Sequence, residues 1–276
     1  MVHLMVTSER QPDQRPEMWD DHVSVYETVF EPFTLQFAAA AIAGLDTVSG
    51  RKVLDVGAGS GGAALALAER GAAVTAIDAS AEMCRRMSER AHRTGRPISV
   101  LAMDGQALAF ADATFDAALS IFGVILFPDA VRGLAEMRRV VRPGGRIAVA
   151  TWTEPQDYEL AQALRAAISA IRPGQQASGL PAQLRYRERS DFAALFAAAG
   201  FAQCAIAVHT AVLRAPSARW LGERIAFAPG MAAQVDGLGR DKPAVVDRLI
   251  SDLEARFGHG EVALAAKAYV GTAIVG

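Results

Sequence analysis

The segment Val53-Leu-Asp-Val-Gly-Ala-Gly-Ser-Gly-Gly62 carries the strongest chemical signal in the sequence. A short apolar run ends in this glycine cluster, and residues 63–70, rich in alanine and leucine, have helical composition. The pattern predicts a strand, a tight turn and a helix. Glycines let a backbone approach a ligand closely, and the first turn of a helix offers unpaired N–H groups. Because four glycines in six residues exceed what a turn needs, we interpret the segment as a ligand-binding loop.

Two acidic residues end the next two apolar runs. Asp78 follows residues 73–77, and Asp104 follows residues 98–103. A ligand of an open α/β sheet binds at the carboxyl ends of its strands, so these acids are candidate ligand contacts. The glycine loop alone does not choose the ligand, since Gly57, Gly59 and Gly62 also fit the pattern of a dinucleotide site.

The elements that would position these residues alternate along the chain. Apolar runs that predict five strands lie at residues 53–56, 73–77, 98–103, 115–121 and 146–151. Helical spacing separates them: Ser80 can cap a helix that ends at Gly95, residues 129–141 form another, and residues 142–145 form a turn. This alternation predicts a parallel sheet that is covered on both faces.

The segments on either side of this region are less regular. Residues 1–16 are predicted as a flexible lead, followed by a helix at 17–30, a break at Glu31-Pro32 and a second helix at 33–45. Beyond residue 152 we predict helices at 158–171, 217–228 and 242–257, an irregular insertion at 172–189, a helix that Ser190-Asp191 caps and Gly200 closes, and strands at 203–213 and 264–275.

Composition excludes several classes of function. The net charge of −2 and the pI near 6.2 provide no basic surface for nucleic acid. Two cysteines, Cys84 and Cys204, are too few for a disulfide framework or a thiolate metal site, and no apolar run reaches the ~18 residues of a membrane span. We therefore expect a cytoplasmic protein without a bound metal.

With these motifs the sequence resembles the class I S-adenosylmethionine-dependent methyltransferases, especially the branch of ubiquinone and menaquinone biosynthesis enzymes and small-molecule methyltransferases. The resemblance runs from about Trp19 to the C-terminus and is densest between Lys52 and Trp152. Five signatures occur in the order of the family: residues 53–61, Asp78, residues 103–108, residues 115–123 and the turn 142–146. In the first of them, an acid stands two residues before the first glycine. A nicotinamide site usually has an apolar residue where this chain has Asp55.

The resemblance implies a fold and a cofactor site. The implied sheet is Rossmann-like, with seven strands in the order 3-2-1-4-5-7-6 and an antiparallel last strand, and it carries a helical cap. The implied cofactor is S-adenosylmethionine, with S-adenosylhomocysteine as product; Asp78 would bind the ribose and the Asp104 segment the adenine. The candidate cofactor-binding residues are Tyr26, Asp55, Gly57, Ala58, Gly59, Ser60, Gly61, Asp78, Ala79, Met83, Asp104, Gly105, Gln106, Ser120 and Phe122.

The acceptor side is predicted from residue types outside the sheet. Trp19, Phe30, Trp152, Trp220 and Phe227 are candidate pocket residues for a small, largely apolar acceptor. His22 and His209 are candidate bases, although a structural role is more common for a histidine. The expected division is an N-terminal helical lid at 1–45, a cofactor-binding core at 46–215, a cap insertion at 216–260 and a final core strand at 261–276.

The sequence is also compatible with two other functions. A nicotinamide-dependent oxidoreductase would share the glycine loop and Asp78, but would not explain Asp55, Asp104 or the two last strands. A non-catalytic, methyltransferase-like binding protein would keep the fold and lose the cofactor contacts. The expected partner is a small molecule, with no nucleic acid and no membrane, and the sequence leaves a homodimer open.

Overall fold

The described residues, 10–174 and 181–276 of a computed structural model, form a seven-stranded sheet in the order 3-2-1-4-5-7-6. Most of the predicted lead and the middle of the predicted insertion at 172–189 lie outside the described residues. The strands are β1 (Lys52–Val56), β2 (Ala73–Asp78), β3 (Ile98–Ala102), β4 (Phe115–Ile121), β5 (Val141–Trp152), β6 (Ala205–Ala215) and β7 (Val262–Ile274).

Strand pairing confirms the predicted fold class. β1 pairs in parallel with β2 and β4, and the β2–β3 and β4–β5 pairs are also parallel. β7 lies between β5 and β6 and is antiparallel to both. Because β1 to β5 all run in the same direction, their carboxyl ends lie at one edge of the sheet. Crossover connections return the chain to the opposite edge between these strands.

Helices cover both faces of the sheet. They are α1 (Pro16–Asp20), α2 (Val23–Val25), α3 (Glu31–Gly44), α4 (Gly62–Glu69), α5 (Ala81–Thr94), α6 (Ala130–Val140), α7 (Glu159–Ile171), α8 (Arg189–Ala198), α9 (Ala218–Glu223), α10 (Pro229–Asp236) and α11 (Lys242–Phe257). One face packs Phe37 of α3 and Leu67 of α4 around Leu119. The other packs Leu134 of α6 and Phe196 of α8 around Ala118. Neighbouring residues of β4 thus belong to opposite cores, as strand geometry requires.

The N-terminal helices differ from the prediction. The expected helix at 17–30 is divided into α1, α2 and a π-helical turn, Tyr26–Phe30, that leads directly into α3. The break expected at Glu31-Pro32 is wrong because Pro32 occupies the first turn of α3, where a missing N–H costs no helical hydrogen bond.

Three other boundaries also differ. The predicted turn at 142–145 is part of β5, where Gly144 N–H donates to Val275 O at 2.8 Å and the register against β4 shifts. Ser190 and Asp191 do not cap α8, whose N-cap is Glu188. The helix expected at 217–228 ends at Glu223, and α10 begins at Pro229. Within the described residues, no helix is both long enough and apolar enough to cross a bilayer.

Deletion of residues 262–276 should abolish cooperative folding. β7 is the partner of both β5 and β6, and its Leu264, Ala266 and Ala268 are fully buried, so its loss exposes apolar surface and two strand edges. We expect an insoluble or molten product with lost near-ultraviolet circular dichroism and strong dye binding. Removal of the exposed Gly276 alone is the control and should change nothing. A soluble, cooperatively unfolding deletion variant would contradict this role of β7.

Candidate cofactor and acceptor site

A cavity of about 220 Å³ opens at the carboxyl edge of the sheet. Gly57 and Gly59 after β1, Asp78 at the end of β2 and Phe122 after β4 contribute to its wall. Trp19, Tyr26 and Phe30 of the N-terminal segment also line it. The cavity therefore lies where open α/β sheets bind their ligands.

Most of the sequence-predicted site residues line this cavity. They are Trp19, Tyr26, Phe30, Gly57, Gly59, Asp78, Ala79, Met83, Asp104, Gly105, Gln106, Phe122 and Trp152. The structure therefore brings together residues that are up to 133 positions apart in the chain, between Trp19 and Trp152. Their individual roles in binding stay predictions.

A second group of predicted residues lies behind the wall. Ser120 Oγ donates to Val56 O at 2.7 Å and accepts Val124 N–H at 2.9 Å, which ties β4 to β1. A Cβ on Gly61, where φ is +93°, would meet Met87 Cγ at 2.5 Å. Asp55 and Ala58 line a separate cavity of about 20 Å³ that shares Tyr26, Thr34 and Gly57 with the large one, a space of the size that one water molecule fills.

Neither candidate histidine is among the cavity-lining residues. His209 lies on the edge strand β6 opposite Ala268. His22 precedes α2, and its Nδ1 is 2.7 Å from Met18 O. Among the predicted pocket residues, Phe227 stacks behind Phe30 at a ring distance of 4.8 Å. Trp220 packs under the Arg224 guanidinium, also at 4.8 Å. The segment 216–260 thus reaches the cavity through Ala228, not through its aromatic residues.

Several lining residues were not found by sequence reasoning. They are Arg10, Asp13, Gln14, Pro16, Thr34, Ile125, Leu126, Phe127, Pro128, Gln183 and Ala228. Asp13 is in the segment predicted as a flexible lead, and no periodicity distinguishes it. Phe127 follows β4 closely enough that the strand-end rule could have identified it.

The glycine loop is packed too closely for side chains. The N–H groups of Gly57 and Ala58 both donate to Ile77 O at 2.9 Å, which draws the loop against β2. At Gly57 φ is +68°, and a Cβ would stand 2.9 Å from the Cα of Gly123. This residue must therefore be glycine both for its backbone conformation and for the contact between the ends of β1 and β4.

Asp78 is fixed by backbone donors. Its Oδ2 accepts Gly59 N–H at 2.8 Å, and its Oδ1 accepts Ser80 N–H at 2.9 Å. Burial raises the pKa of its carboxyl, and the backbone hydrogen bonds oppose that rise. Since each carboxylate oxygen can accept more than one hydrogen bond, Asp78 retains capacity for two further donors, such as vicinal hydroxyls.

Asp55 is the least compensated acid of the site. It is 1% exposed, and its Oδ2 has no hydrogen-bond partner among the described residues. Burial, reinforced by the negative charge of Asp78, raises its pKa to about 8. Such a group favours a nearby cation or donor.

Glu31 connects the N-terminal helices to the glycine loop. It is 5% exposed, and its Oε1 accepts Ser60 Oγ–H at 2.6 Å, Gly62 N–H at 3.0 Å and the Arg90 guanidinium at 2.7 Å. Gly62 is the first residue of α4, whose N-cap Gly61 has no side chain. Glu31 therefore caps α4 from another part of the chain and places negative charge at its N-terminus.

Two other acids hold the same N-terminal segment against α5. Glu27 forms a two-pronged ion pair with Arg86 at 2.5 and 2.9 Å. Asp20 Oδ1 accepts Ser80 Oγ–H at 2.6 Å and Glu82 N–H at 3.2 Å. Unlike Glu31, neither acid hydrogen-bonds the glycine loop.

An aromatic group forms the floor on the β4–β5 side. Trp152 stacks on Phe122 with ring centroids 4.0 Å apart and on Tyr158 at 5.4 Å. Phe122 adopts φ +61°, a strained conformation for a bulky residue that is typical of functional sites. The floor is apolar and rigid.

Comparison with known proteins agrees with this geometry. Residues 53–145 match the family described as "Methyltransferase domain". The chain is 33% identical over 152 residues to demethylmenaquinone methyltransferase of Renibacterium salmoninarum, covering 53% of this chain and 62% of that protein. It is 39% identical over 138 residues to an uncharacterised protein of Mycobacterium tuberculosis, covering 49% of each. The chain thus spans about half to three fifths of these relatives.

Residues 53–145 therefore form a methyltransferase domain, in agreement with the predicted resemblance. The domain match supports S-adenosylmethionine as the predicted cofactor. The antiparallel β7 also separates this sheet from the parallel sheet of nicotinamide-binding domains.

Solved structures share the fold at low sequence identity. YcgJ from Bacillus subtilis has a TM-score of 0.57 at 19% identity, covering 87% of this chain and 98% of that one. The [4+2]-cyclase SpnF has a TM-score of 0.52 at 22% identity, covering 87% and 81%. These similarities establish the fold, and a cyclase among them means that the fold alone does not define the reaction.

Glu31→Gln should weaken both the fold and cofactor binding. The change removes the buried charge that pairs with Arg90 at 2.7 Å and leaves Arg90 the longer contact to Glu27 at 3.7 Å, which costs at most about 3–5 kcal/mol, and it weakens the cap on α4. Glu27→Gln is the matched control: it breaks a more exposed ion pair with α5, worth about 1 kcal/mol or less, but leaves the loop contacts intact. Denaturation and S-adenosylhomocysteine titration at a temperature where both variants are folded should show lower affinity for Glu31→Gln only. Equal affinities would contradict the link between Glu31 and the loop.

Asp55→Asn should stabilise the unliganded protein at alkaline pH. Because the pKa of Asp55 is raised to about 8 in the folded state, that state holds the proton more tightly than the unfolded chain does. Its contribution to stability therefore falls as the pH rises from about 4 to 8, by at most about 1.4 kcal/mol per pH unit. The gain from Asp55→Asn should be larger at pH 8 than at pH 5.

Asp116→Asn provides the control of opposite sign for Asp55→Asn. The pKa of Asp116 is lowered by Arg142, so this substitution should destabilise the protein equally at pH 8 and pH 5 and lose its effect only below about pH 4. Denaturant titrations at the two pH values compare the variants. A pH-independent effect of Asp55→Asn would contradict the raised pKa.

Proposed function

We propose that this protein transfers the methyl group of S-adenosylmethionine to a small, largely apolar molecule. One observation carries the proposal: the same cavity is lined by the glycine loop, Asp78 and Asp104 and also by aromatic side chains. The polar residues suit a nucleoside with vicinal hydroxyls, and the aromatic residues suit an apolar acceptor.

The polar residues of the cavity would hold the cofactor. Asp78 would accept hydrogen bonds from the ribose hydroxyls, and the segment Asp104–Gln106, with Ala79 and Met83, would surround the adenine. Gln106 Nε2 donates to Asp104 Oδ1 at 3.0 Å, and Gln106 Oε1 accepts Asp129 N–H at 2.9 Å. These bonds fix the segment before a ligand arrives, which lowers the entropic cost of binding.

Asp55 and Gly57 would serve the amino-acid end of the cofactor. The uncompensated Asp55 carboxylate lies next to the main cavity, across the space that it shares with Tyr26 and Gly57. A cationic ammonium group there would relieve the cost of the buried charge. Asp55, the acid two residues before the first glycine, would then be needed for its negative charge.

Methyl transfer from a sulfonium requires alignment and exclusion of water. The acceptor atom attacks the methyl carbon in line, the S–C bond breaks, and the positive charge leaves the sulfur. The stacked Phe122 and Trp152 and the Tyr26 ring provide a dry wall whose faces attract a cation. These residues would therefore act by positioning and by electrostatics.

The predicted division of the chain belongs to the same proposal. We assign residues 1–45 to a lid, 46–215 to the cofactor-binding core, 216–260 to a cap and 261–276 to the last core strand. The lid assignment is supported by Trp19, Tyr26 and Phe30 in the cavity wall and by the acids that hold this segment on α5. The cap segment contacts the cavity through Ala228.

Asp78→Ala should lower the affinity for S-adenosylhomocysteine by more than tenfold. It removes two charge-assisted hydrogen bonds to the ligand, each worth about 1.5–3 kcal/mol, and two to the backbone. Asp78→Asn separates these effects because an amide oxygen still accepts one backbone N–H. It should lose affinity with less damage to thermal stability. Unchanged affinity in calorimetry for either variant would refute the ribose assignment.

Labelled methyl groups test the acceptor class. The purified protein is incubated with methyl-labelled S-adenosylmethionine and a cell extract that is then separated into small molecules, protein and RNA. We expect label in the organic-soluble small-molecule fraction. Label in protein or RNA would contradict a small acceptor.

A further inference from the structure

Asp13 is a buried carboxylate in the cavity wall that no part of the cofactor assignment uses. It is 7% exposed and lines the cavity with Gln14 and Gln183. Its Oδ1 accepts Gly230 N–H at 2.6 Å. Its Oδ2 receives no hydrogen bond from the described residues. One oxygen therefore anchors the side chain and the other is available to a ligand.

The location of Asp13 separates it from the cofactor acids. Gly230 belongs to the first turn of α10, and the N-cap of that helix, Ala228, also lines the cavity. Asp13 O accepts the Trp19 indole N–H at 3.0 Å. Asp78, by contrast, lies at the end of β2. Asp13 therefore faces the part of the cavity that the N-terminal segment and α10 enclose.

The charge of Asp13 is poorly compensated. Among the described residues it forms no ion pair; His22 is the charged group that acts on its pKa, and Arg10 is the cation that lines the same cavity. Burial raises the pKa of Asp13, while the Gly230 N–H and His22 oppose that rise. A buried carboxylate without a partner destabilises a fold unless a ligand supplies a donor. If Asp13 served only to hold α10 through Gly230 N–H, a neutral side-chain acceptor would be sufficient in its place.

We propose that Asp13 Oδ2 receives a hydrogen-bond-donating group of the methyl acceptor, so that the acceptor is a small apolar amine or alcohol and not a carboxylic acid. This inference rests on the proposed function and narrows its substrate class. The aromatic residues Trp19 and Phe30, which also line the cavity, would hold the apolar part of the same molecule. A carboxylate ligand would instead meet a like charge at Asp13.

Asp13 would also take up the proton that the reaction releases from a hydroxyl acceptor. The O–CH₃ bond forms as the S–CH₃ bond breaks, and the electron pair of the broken bond stays on sulfur. The hydroxyl proton passes to Asp13 Oδ2, and S-adenosylhomocysteine and the methyl ether leave. A raised carboxyl pKa brings this group closer to the working pH of a general base.

The test uses two series of probes that differ only in their polar group. They are 2-phenylethylamine, 2-phenylethanol and 3-phenylpropionate, and tryptamine, tryptophol and indole-3-propionate. Ligand-observed NMR measures their affinity for the protein saturated with S-adenosylhomocysteine. Asp13→Asn keeps an acceptor for Gly230 N–H but removes the charge. Asp20→Asn makes the same change in the same segment at a residue that does not line the cavity.

We expect the wild-type protein to bind the amine or alcohol of at least one series ten or more times more tightly than its carboxylate. Asp13→Asn should reduce that preference at least tenfold, and Asp20→Asn should preserve it. A preference of the wild-type protein for carboxylates would overturn the inference. So would an unchanged preference in Asp13→Asn, or the absence of binding by every probe.

Cofactor titrations distinguish a failure of the role of Asp13 from a failure of the proposed methyltransferase function. Asp13→Asn should bind S-adenosylmethionine and S-adenosylhomocysteine as the wild-type protein does. Selective loss of S-adenosylmethionine affinity would place Asp13 at the sulfonium and overturn its role toward the acceptor. Failure of the wild-type protein to bind S-adenosylhomocysteine would contradict the proposed function itself.

Discussion

The carboxylate of Glu31 is the contact on which the site depends most. A single oxygen accepts hydrogen bonds from Ser60, from the first N–H of α4 and from Arg90. The glycine loop has no side chain of its own to cap α4, so its shape depends on a residue that precedes β1. The N-terminal segment therefore supports the glycine loop as well as lining the cavity.

The same contact explains how a loop of small residues can be rigid. Glycines give the loop the left-handed conformations that it needs, but they lose more conformational entropy on folding than other residues. Hydrogen bonds from Gly57 and Ala58 to β2, from Gly59 to Asp78 and from Gly62 to Glu31 offset that loss. The loop is thus preorganised from three directions.

Negative charge is concentrated where a cationic cofactor would bind. Asp55, Asp78 and Glu31 lie close enough that the charges of Asp78 and Glu31 raise the pKa of Asp55. Evolution tolerates such a cost to stability at sites where a ligand relieves it. Asp13 is a further buried carboxylate in the wall of the same cavity, held by the first turn of α10.

The core of this fold was predictable because its signals are local. The apolar run of β4 marks residues 115–121 without error, and Ser80 and Gly95 mark the ends of α5. The strand order came from the family resemblance, since the sequence itself contains no record of which strands pair. The cavity-lining glycines and acids were predictable because strand ends in an α/β sheet share one edge.

What the sequence did not reveal depends on contacts between distant residues. Asp13 meets Gly230 across 217 positions, and no periodic pattern predicts such a pair. The π-helical turn at Tyr26–Phe30 changes the faces that the N-terminal residues present, so helical spacing could not place His22. Likewise, His209 was assigned from its strand, but its strand is the sheet edge, away from the cavity.

The most direct test of the account is a calorimetric titration of the wild-type protein with S-adenosylhomocysteine and, separately, with NADH. We expect saturable binding of one S-adenosylhomocysteine per chain and no binding of NADH under the same conditions. Saturable binding of NADH with no response to S-adenosylhomocysteine would contradict it.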